Sequence, residues 1–362
     1  MDAEQLSLKT PKGSPRALAF ATAEGLASFG IGFAGALLFW FADLPLPWML
    51  GAMTATAVSA MFGVPWQIHR TVRDVARPVI GVLAGSAFTP AILGQAGGWA
   101  GILAVIVLFG IATTLTGYLI ARFAFGLDRA TAFFSSTPAG LTEMSLMGDS
   151  LGGNLRSLFL IHSIRVVAVV FCVPTILQIV NGVDLGTAAG AGYRPADIGD
   201  ALDWALLSLC GLGGYVLGRR FRIPSNVMIF SMLLSAALHL GGATTAAPPA
   251  WLVIAVQVVI GSIAGARFRG IRWAEMRVTL AFGVSWAILV VAAAVATAAA
   301  VAGVSRQDFS AILLAIAPGG MAEMTIVTYA LGIDVAFVVA CQVLRNFATL
   351  LIAPFVYRAL PK

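Results

Sequence analysis

Glu143 and Glu323 stand where carboxylates are rare, inside long apolar stretches and a few residues beyond a break in the chain. The first break is Pro138 and Gly140 in SSTPAGLTEMSLM (135–147). The second is Pro318, Gly319 and Gly320 in AIAPGGMAEMTIV (315–327), so the motif recurs at an offset of 180 positions. Proline removes a backbone donor and disfavours helix in the residue before it, and glycine accepts whatever dihedrals the interruption needs. An ionised side chain at membrane depth costs about 2.5–3.5 kcal/mol on insertion scales, so it faces a partner or water and marks function. Two arginines complete the set: Arg165 and Arg345 each follow their glutamate by 22 residues. His162 lies three residues before Arg165, and Gln342 and Thr349 lie three before and four after Arg345, which puts these groups on one helical face. Two arginines, two carboxylates and two half-helix N-termini would suit an anionic or carboxylate-bearing ligand, with the glutamates taking a proton or Na⁺. The competing arrangement is a pair of internal Glu–Arg ion pairs that neutralise one another and tie the breaks together.

The elements that must carry these groups are membrane helices. Of 362 residues, 59% are hydrophobic and 10% charged, against roughly 25% charged in a soluble domain, and the mean hydropathy is +0.94. Apolar runs bounded by Gly, Pro and charge predict spans over 17–42, 47–63, 75–94, 99–124 and 155–180, then 201–218, 224–241, 250–268, 276–302 and 334–357. The broken segments fall at 130–151 and 309–331. Residues 1–16 form a polar tail without the apolar core of a signal peptide, 17–180 a first membrane repeat, 181–200 a polar linker and 201–358 a second repeat. The duplication extends past the breaks: VIGVLAGSAF (79–88) and VIGSIAGARF (259–268) share six of ten residues, Asp128 matches Asp308, and Pro174 matches Pro354.

Charge decides how the repeats sit. If they are inverted, with five crossings each and a broken segment that returns to its own side, almost every Lys and Arg outside the membrane collects on the side of the N-terminus. If the broken segments cross fully, Arg219–Arg222 and Arg267–Arg277 face outward, against the positive-inside rule. The fold expected is therefore an all-α polytopic membrane protein of two inverted repeats, with about ten transmembrane helices plus two broken or re-entrant segments. Both termini are placed in the cytoplasm of a bacterial inner membrane.

Other signals are quieter. Gly81 and Gly85, like Gly261 and Gly265, are spaced for close helix approach, within the core or at a homodimer face. Asn226 stands at a helix start, as a cap or a ligand group. Cys172, Cys210 and Cys341 lie in apolar runs and read as buried, inert thiols. The three histidines (His69, His162 and His239) are far apart, and neither they nor the cysteines have metal spacing. With no nucleophile triad and no phosphate loop, neither an enzyme nor a cofactor is expected. The net charge of +6 is spread through short loops, and no polar segment is long enough for a DNA-binding domain, so nucleic acid is not an expected partner.

The duplicated PxGxxEM segment, the arginines within the membrane and LPWMLGAM (46–53) resemble the AbrB-duplication membrane proteins over nearly the whole chain after Ala17. That family carries labels as regulators of gene expression and as ammonia monooxygenases. In wider outline it is similar to the superfamily of cation/proton antiporters and of bile-acid-type and citrate-type transporters, whose inverted repeats cross two broken helices at mid-membrane. The resemblance and the residues together imply an ion-coupled secondary transporter of a small organic, anionic solute. The alternative is a membrane-embedded regulator or sensor that acts on gene expression without touching DNA.

Overall fold

A computed structural model describes residues 29–44, 46–64, 70–90, 96–181, 200–221, 225–269, 276–305 and 307–360. The tail expected at 1–16, His69 and most of the 181–200 linker lie outside the described residues. Those that are described form fourteen helices and no strand.

The first seven helices are α1 (Phe29–Phe41), α2 (Pro47–Met61), α3 (Arg70–Ser86), α4 (Ala100–Ala124), α5 (Arg129–Ser136), α6 (Leu141–Ser150) and α7 (Leu155–Asn181). The next seven are α8 (Ala201–Arg220), α9 (Asn226–Leu240), α10 (Ala250–Ala266), α11 (Arg277–Ala302), α12 (Phe309–Ile316), α13 (Met321–Ala330) and α14 (Val335–Ala359). Helices α3, α5 and α6 recur as α10, α12 and α13 with both ends displaced by 180 residues, so the duplication seen in rare residues is a duplication of elements. Helices α4, α7, α8, α11 and α14 are long and apolar enough to cross a membrane, and α1, α9 and α10 are shorter apolar helices. One span differs from expectation. The helix placed at 75–94 starts at Arg70 and ends at Ser86, ahead of Pro90, which disfavours helix in the residue before it.

The breaks take shape as the sequence requires. Asp128 caps α5 by accepting from the Thr131 amide at 2.8 Å. The helix stops at Thr137, whose extended backbone leads into Pro138, and α6 begins after Gly140. The segment then doubles back: Gly148 of α6 packs on Phe134 of α5, and the Asn154 amide donates to Thr131 Oγ1 at 2.7 Å. The mouth and the exit of this hairpin are therefore at the same end. Ahead of it, α4 runs antiparallel to α5, with Gly117 against Ser136 and Gly110 against Pro138.

The two repeats interlock reciprocally. Helix α3 packs on α9 and α10 on α2, while α7 packs on α11 and α14 on α4. The first two pairs are parallel and close. Gly81 lies against Met228 and Ser231 and Gly85 against Met232 and Ser235, while Gly261 meets Met49 and Ala52 and Gly265 meets Met53 and Thr56. A side chain at any of these glycines would strike the facing backbone, so the small-residue spacing serves packing inside the chain. Helices α7 and α11 also run parallel, through the Ser157–Thr279 hydroxyl contact at 3.1 Å and the seat of Gly283 on Ile161 and Ile164. Repeat equivalents α4 and α11 run antiparallel, with Gly117 beside Trp286 and the Phe125 ring 5.4 Å from that of Phe282.

Cys210 and Cys341 are buried as expected, but Cys172 is exposed, because its position on α7 faces outward from the bundle. Asn226 is structural: its Nδ2 donates to the Gly218 and Phe221 carbonyls at 2.6 and 2.9 Å, securing the end of α8.

Candidate functional site

An interrupted helix exposes two sets of peptide groups, the last carbonyls of the first half and the first amides of the second. The charged residues singled out in the sequence are distributed between these two ends. Arg165, ten residues into α7 and 2% exposed, donates from Nη1 to the Thr137 carbonyl at 2.9 Å and from Nη2 to that of Ala139 at 3.0 Å. Arg345, in the same place on α14 and 1% exposed, donates from Nη1 to the carbonyls of Ala315, Ile316 and Ala317 at 3.2, 2.9 and 2.8 Å. Gln342 extends this cap by one residue, its Nε2 donating to Leu314 O at 3.0 Å. A cation at a helix C-terminus meets the negative end of the helix dipole, and a guanidinium supplies several donors at once.

The glutamates take the opposite ends. Glu143 and Glu323 occupy the first turns of α6 and α13, and each carboxylate folds back onto the glycine that precedes its helix, Gly140 or Gly320. This is the N-terminal, positive end of the half-helix, where a carboxylate is favoured. Glu323 is buried and Glu143 half-buried. Among the described residues neither arginine meets a carboxylate, so the Glu–Arg pairing that the spacing allowed is not the arrangement found. The physical reason is that each break presents its own acceptors and its own positive end nearer than the other break's charge.

Pro138 and Gly140, and Pro318, Gly319 and Gly320, lie in the two interruptions as placed. Gly319 is needed for room, since a side chain there would run into Met324. The two breaks are neighbours: α7, which carries Arg165, packs on both halves of the second break, α12 and α13. Buried polar atoms without a hydrogen-bond partner include Nε of each arginine, Oε1 of Gln342 and the Ser145 hydroxyl on α6. Buried polar groups are nearly always hydrogen-bonded, so each orphan marks a place where another molecule or another conformation can supply the partner. His162 and Gln342 are repeat equivalents, and each faces the last turn of its own half-helix, at the Phe134 and Leu314 carbonyls. No group of three or more His, Cys, Asp or Glu with metal-binding geometry occurs among the described residues.

Thr349 apart, sequence reasoning missed the threonines. Thr137, Thr114 and Thr349 meet beside the first break, and Thr131 closes the hairpin onto Asn154. A lone threonine in an apolar helix carries no signal in the sequence, because its hydroxyl can bond the preceding turn of its own helix.

A family model described as "Transition state regulatory protein AbrB" matches residues 48–361. A Bacillus subtilis (strain 168) protein named "Uncharacterized protein YhjN" is 24% identical over 351 residues, covering 91% of this chain and 91% of the relative. The Escherichia coli (strain K12) protein named "Putative regulator AbrB" is 27% identical over 324 residues, covering 87% of this chain and 90% of its own length.

Proposed function

The chain belongs to the AbrB family, and we propose that it works as an ion-coupled secondary transporter of a small organic anion. The observation that carries this reading is the pair of neighbouring breaks, each holding a buried arginine that no carboxylate among the described residues neutralises. Two such cations in a low-dielectric interior are costly unless an anion joins them. Discontinuous helices at a repeat interface are the form in which transporters present peptide ends to a solute. Glu143 and Glu323, each held against a positive helix end with oxygens to spare, are the groups we assign to the coupling proton or Na⁺.

The inverted arrangement of ten spans and two re-entrant hairpins belongs to the same proposal, and helix directions support it. The first hairpin brings the chain back to the end at which α4 delivered it, so α7 leaves in the direction opposite to α4. Helix α7 runs parallel to α11, the repeat equivalent of α4, and α4 and α11 are antiparallel at Trp286 and Phe282. With the arginine-rich ends inside, both termini face the cytoplasm of a bacterial inner membrane.

A second reading follows from the printed name of the Escherichia coli relative, a regulator: a transporter-like core that senses its solute and alters expression through another protein. Thermal-shift measurements against small organic anions, with and without Na⁺, identify the solute because a ligand of the native state raises its apparent stability. Uptake of that solute into proteoliposomes supports transport. Binding and an expression change without uptake would favour the sensor instead.

A further inference from the structure

The two repeats differ where the first helix of each meets the other repeat. Helices α1 and α8 carry the same pair of glycines three residues apart, Gly32 and Gly35 in one and Gly211 and Gly214 in the other. Gly35 meets Gly51 and Ala55 on α2, and Gly214 meets Ser231 on α9, so one glycine of each pair seats its helix within its own repeat. The other two glycines part company. A Cβ on Gly32 would strike Ser262 of α10, whereas a Cβ on Gly211 would find only Pro78 of α3, at 3.8 Å. Helix α1 therefore lies against α10, and α8 stands off from α3.

The space left is a groove with room for about 530 Å³, lined by Val75 and Pro78 of α3, by Trp204, Gly211 and Tyr215 of α8, and by Pro249 ahead of α10. From Trp204 to Tyr215 its wall runs about 16 Å at ~1.5 Å per residue, close to one leaflet of a ~30 Å hydrocarbon core. Val75 and Leu212 are 61% and 67% exposed, and α8 is long and apolar enough to cross a membrane, so the groove opens sideways toward lipid. Its two ends differ in charge. Helix α8 starts on Asp200 and Asp203 and finishes on Arg219 and Arg220. Arg219, exposed and four residues beyond Tyr215, continues the face of α8 that lines the groove. It donates from Nη1 to the Tyr215 hydroxyl at 2.9 Å and lies 5.5 Å from the centre of that ring. One end of the groove therefore repels an anion, and the other has a guanidinium fixed beside it.

An apolar groove alone is merely wetted by lipid, because one hydrocarbon surface attracts a lipid tail no better than another. A cation fixed at its end adds selection, since basic groups beside a gap between membrane helices suit a lipid phosphate. We propose that the groove is a binding site for an anionic phospholipid, with its phosphate at Arg219 and one acyl chain lying along α8 from Tyr215 toward Trp204. A second copy of this chain fits the place less well. Seated here about a two-fold axis normal to the membrane, it would bring another Arg219 and Arg220 to the same level, and like charges would oppose it. The inference needs only that α8 crosses the bilayer and does not rest on the transport reading.

The test uses the full-length protein in proteoliposomes that contain phosphatidylglycerol or phosphatidylcholine, either one carrying a photoactivatable diazirine near the end of one acyl chain. Cross-linked residues are mapped by mass spectrometry. Phosphatidylglycerol should label residues 79–82 and 204–207, and neither lipid should label the closed twin around Gly32 and Val258. Phosphatidylcholine should label the groove about fivefold less, and Arg219→Gln should bring phosphatidylglycerol down to that level. Gly211→Leu should fill the groove and abolish labelling there. Ser208→Phe should do the same from an exposed position on the same wall, with a melting temperature near that of wild type. Equal labelling by the two lipids, no labelling of the groove, or labelling by phosphatidylglycerol that survives Arg219→Gln undiminished would each overturn the proposal. So would a disulfide between copies through Leu212→Cys in the same membranes, which would put a second chain in the groove.

Discussion

Replacing Arg165 by alanine leaves the Thr137 and Ala139 carbonyls without their donors in a buried place. Hydrogen bonds to a charged group are worth about 1.5–3 kcal/mol each, so a clear fall in thermal stability is expected for the purified protein. Because the arginine holds backbone and not a carboxylate, adding Glu143→Gln or Glu323→Gln should not restore that loss, and the effects should add. Rescue by either change would mean an ion pair in place of a helix cap. The glycines make a finer test. Gly140 and Gly320 have φ of −56° and −71°, which alanine adopts freely, but a Cβ would strike the folded-back carboxylate. Gly140→Ala and Gly320→Ala should therefore fold with nearly unchanged melting temperature while displacing the glutamate and losing ion coupling. A large drop in stability would show that the carboxylate is rigidly built in. At this scale the sequence was informative about identity and silent about partners. Glu, Arg and Pro are conspicuous in apolar helices, whereas the carbonyls that Arg165 and Arg345 bind carry no side-chain signature.

The helices are held together at glycines, and those contacts are separable by substitution. Gly81→Ala and Gly261→Ala place a methyl against the facing backbone of Met228 and Met49. Forcing α3 from α9 or α10 from α2 should cost about 1–3 kcal/mol, as overpacking does. Gly101→Ala, on α4 with nothing within 4 Å, is the control and should be neutral or slightly stabilising. Equal effects at all three positions, measured by thermal unfolding, would contradict the close parallel packing. Helix limits were largely legible from Gly, Pro and charge: the expected 155–180 is Leu155–Asn181 and 276–302 is Arg277–Ala302. The return of the first broken segment was not legible locally, because it depends on Thr131 meeting Asn154 across the hairpin. Only the distribution of arginines hinted at it.

Across the molecule, the duplication was visible wherever rare residues recur at the same offset, as with Pro138 and Pro318. The swap of partners between repeats was hidden, since one apolar helix face resembles another until the structure pairs them. The inverted arrangement predicts that the two hairpin mouths lie on opposite sides of the membrane. A single cysteine replacing exposed Ser150 should react with an impermeant thiol reagent only from the cytoplasm, together with one at Arg220. Cysteines replacing Val304 or Ala243, both exposed, should react only from outside; labelling of Ser150→Cys and Val304→Cys from one side would make the repeats parallel. The claim on which function depends is that the carboxylates beyond the two breaks couple an ion to solute movement. It is tested by uptake of the identified anion into proteoliposomes under an imposed pH or Na⁺ gradient, comparing wild type with Glu143→Gln and Glu323→Gln. The amide keeps shape and hydrogen bonding, so both variants should fold and bind solute. Gradient-driven uptake is expected to vanish in at least one of them, and undiminished uptake in both would contradict the assignment.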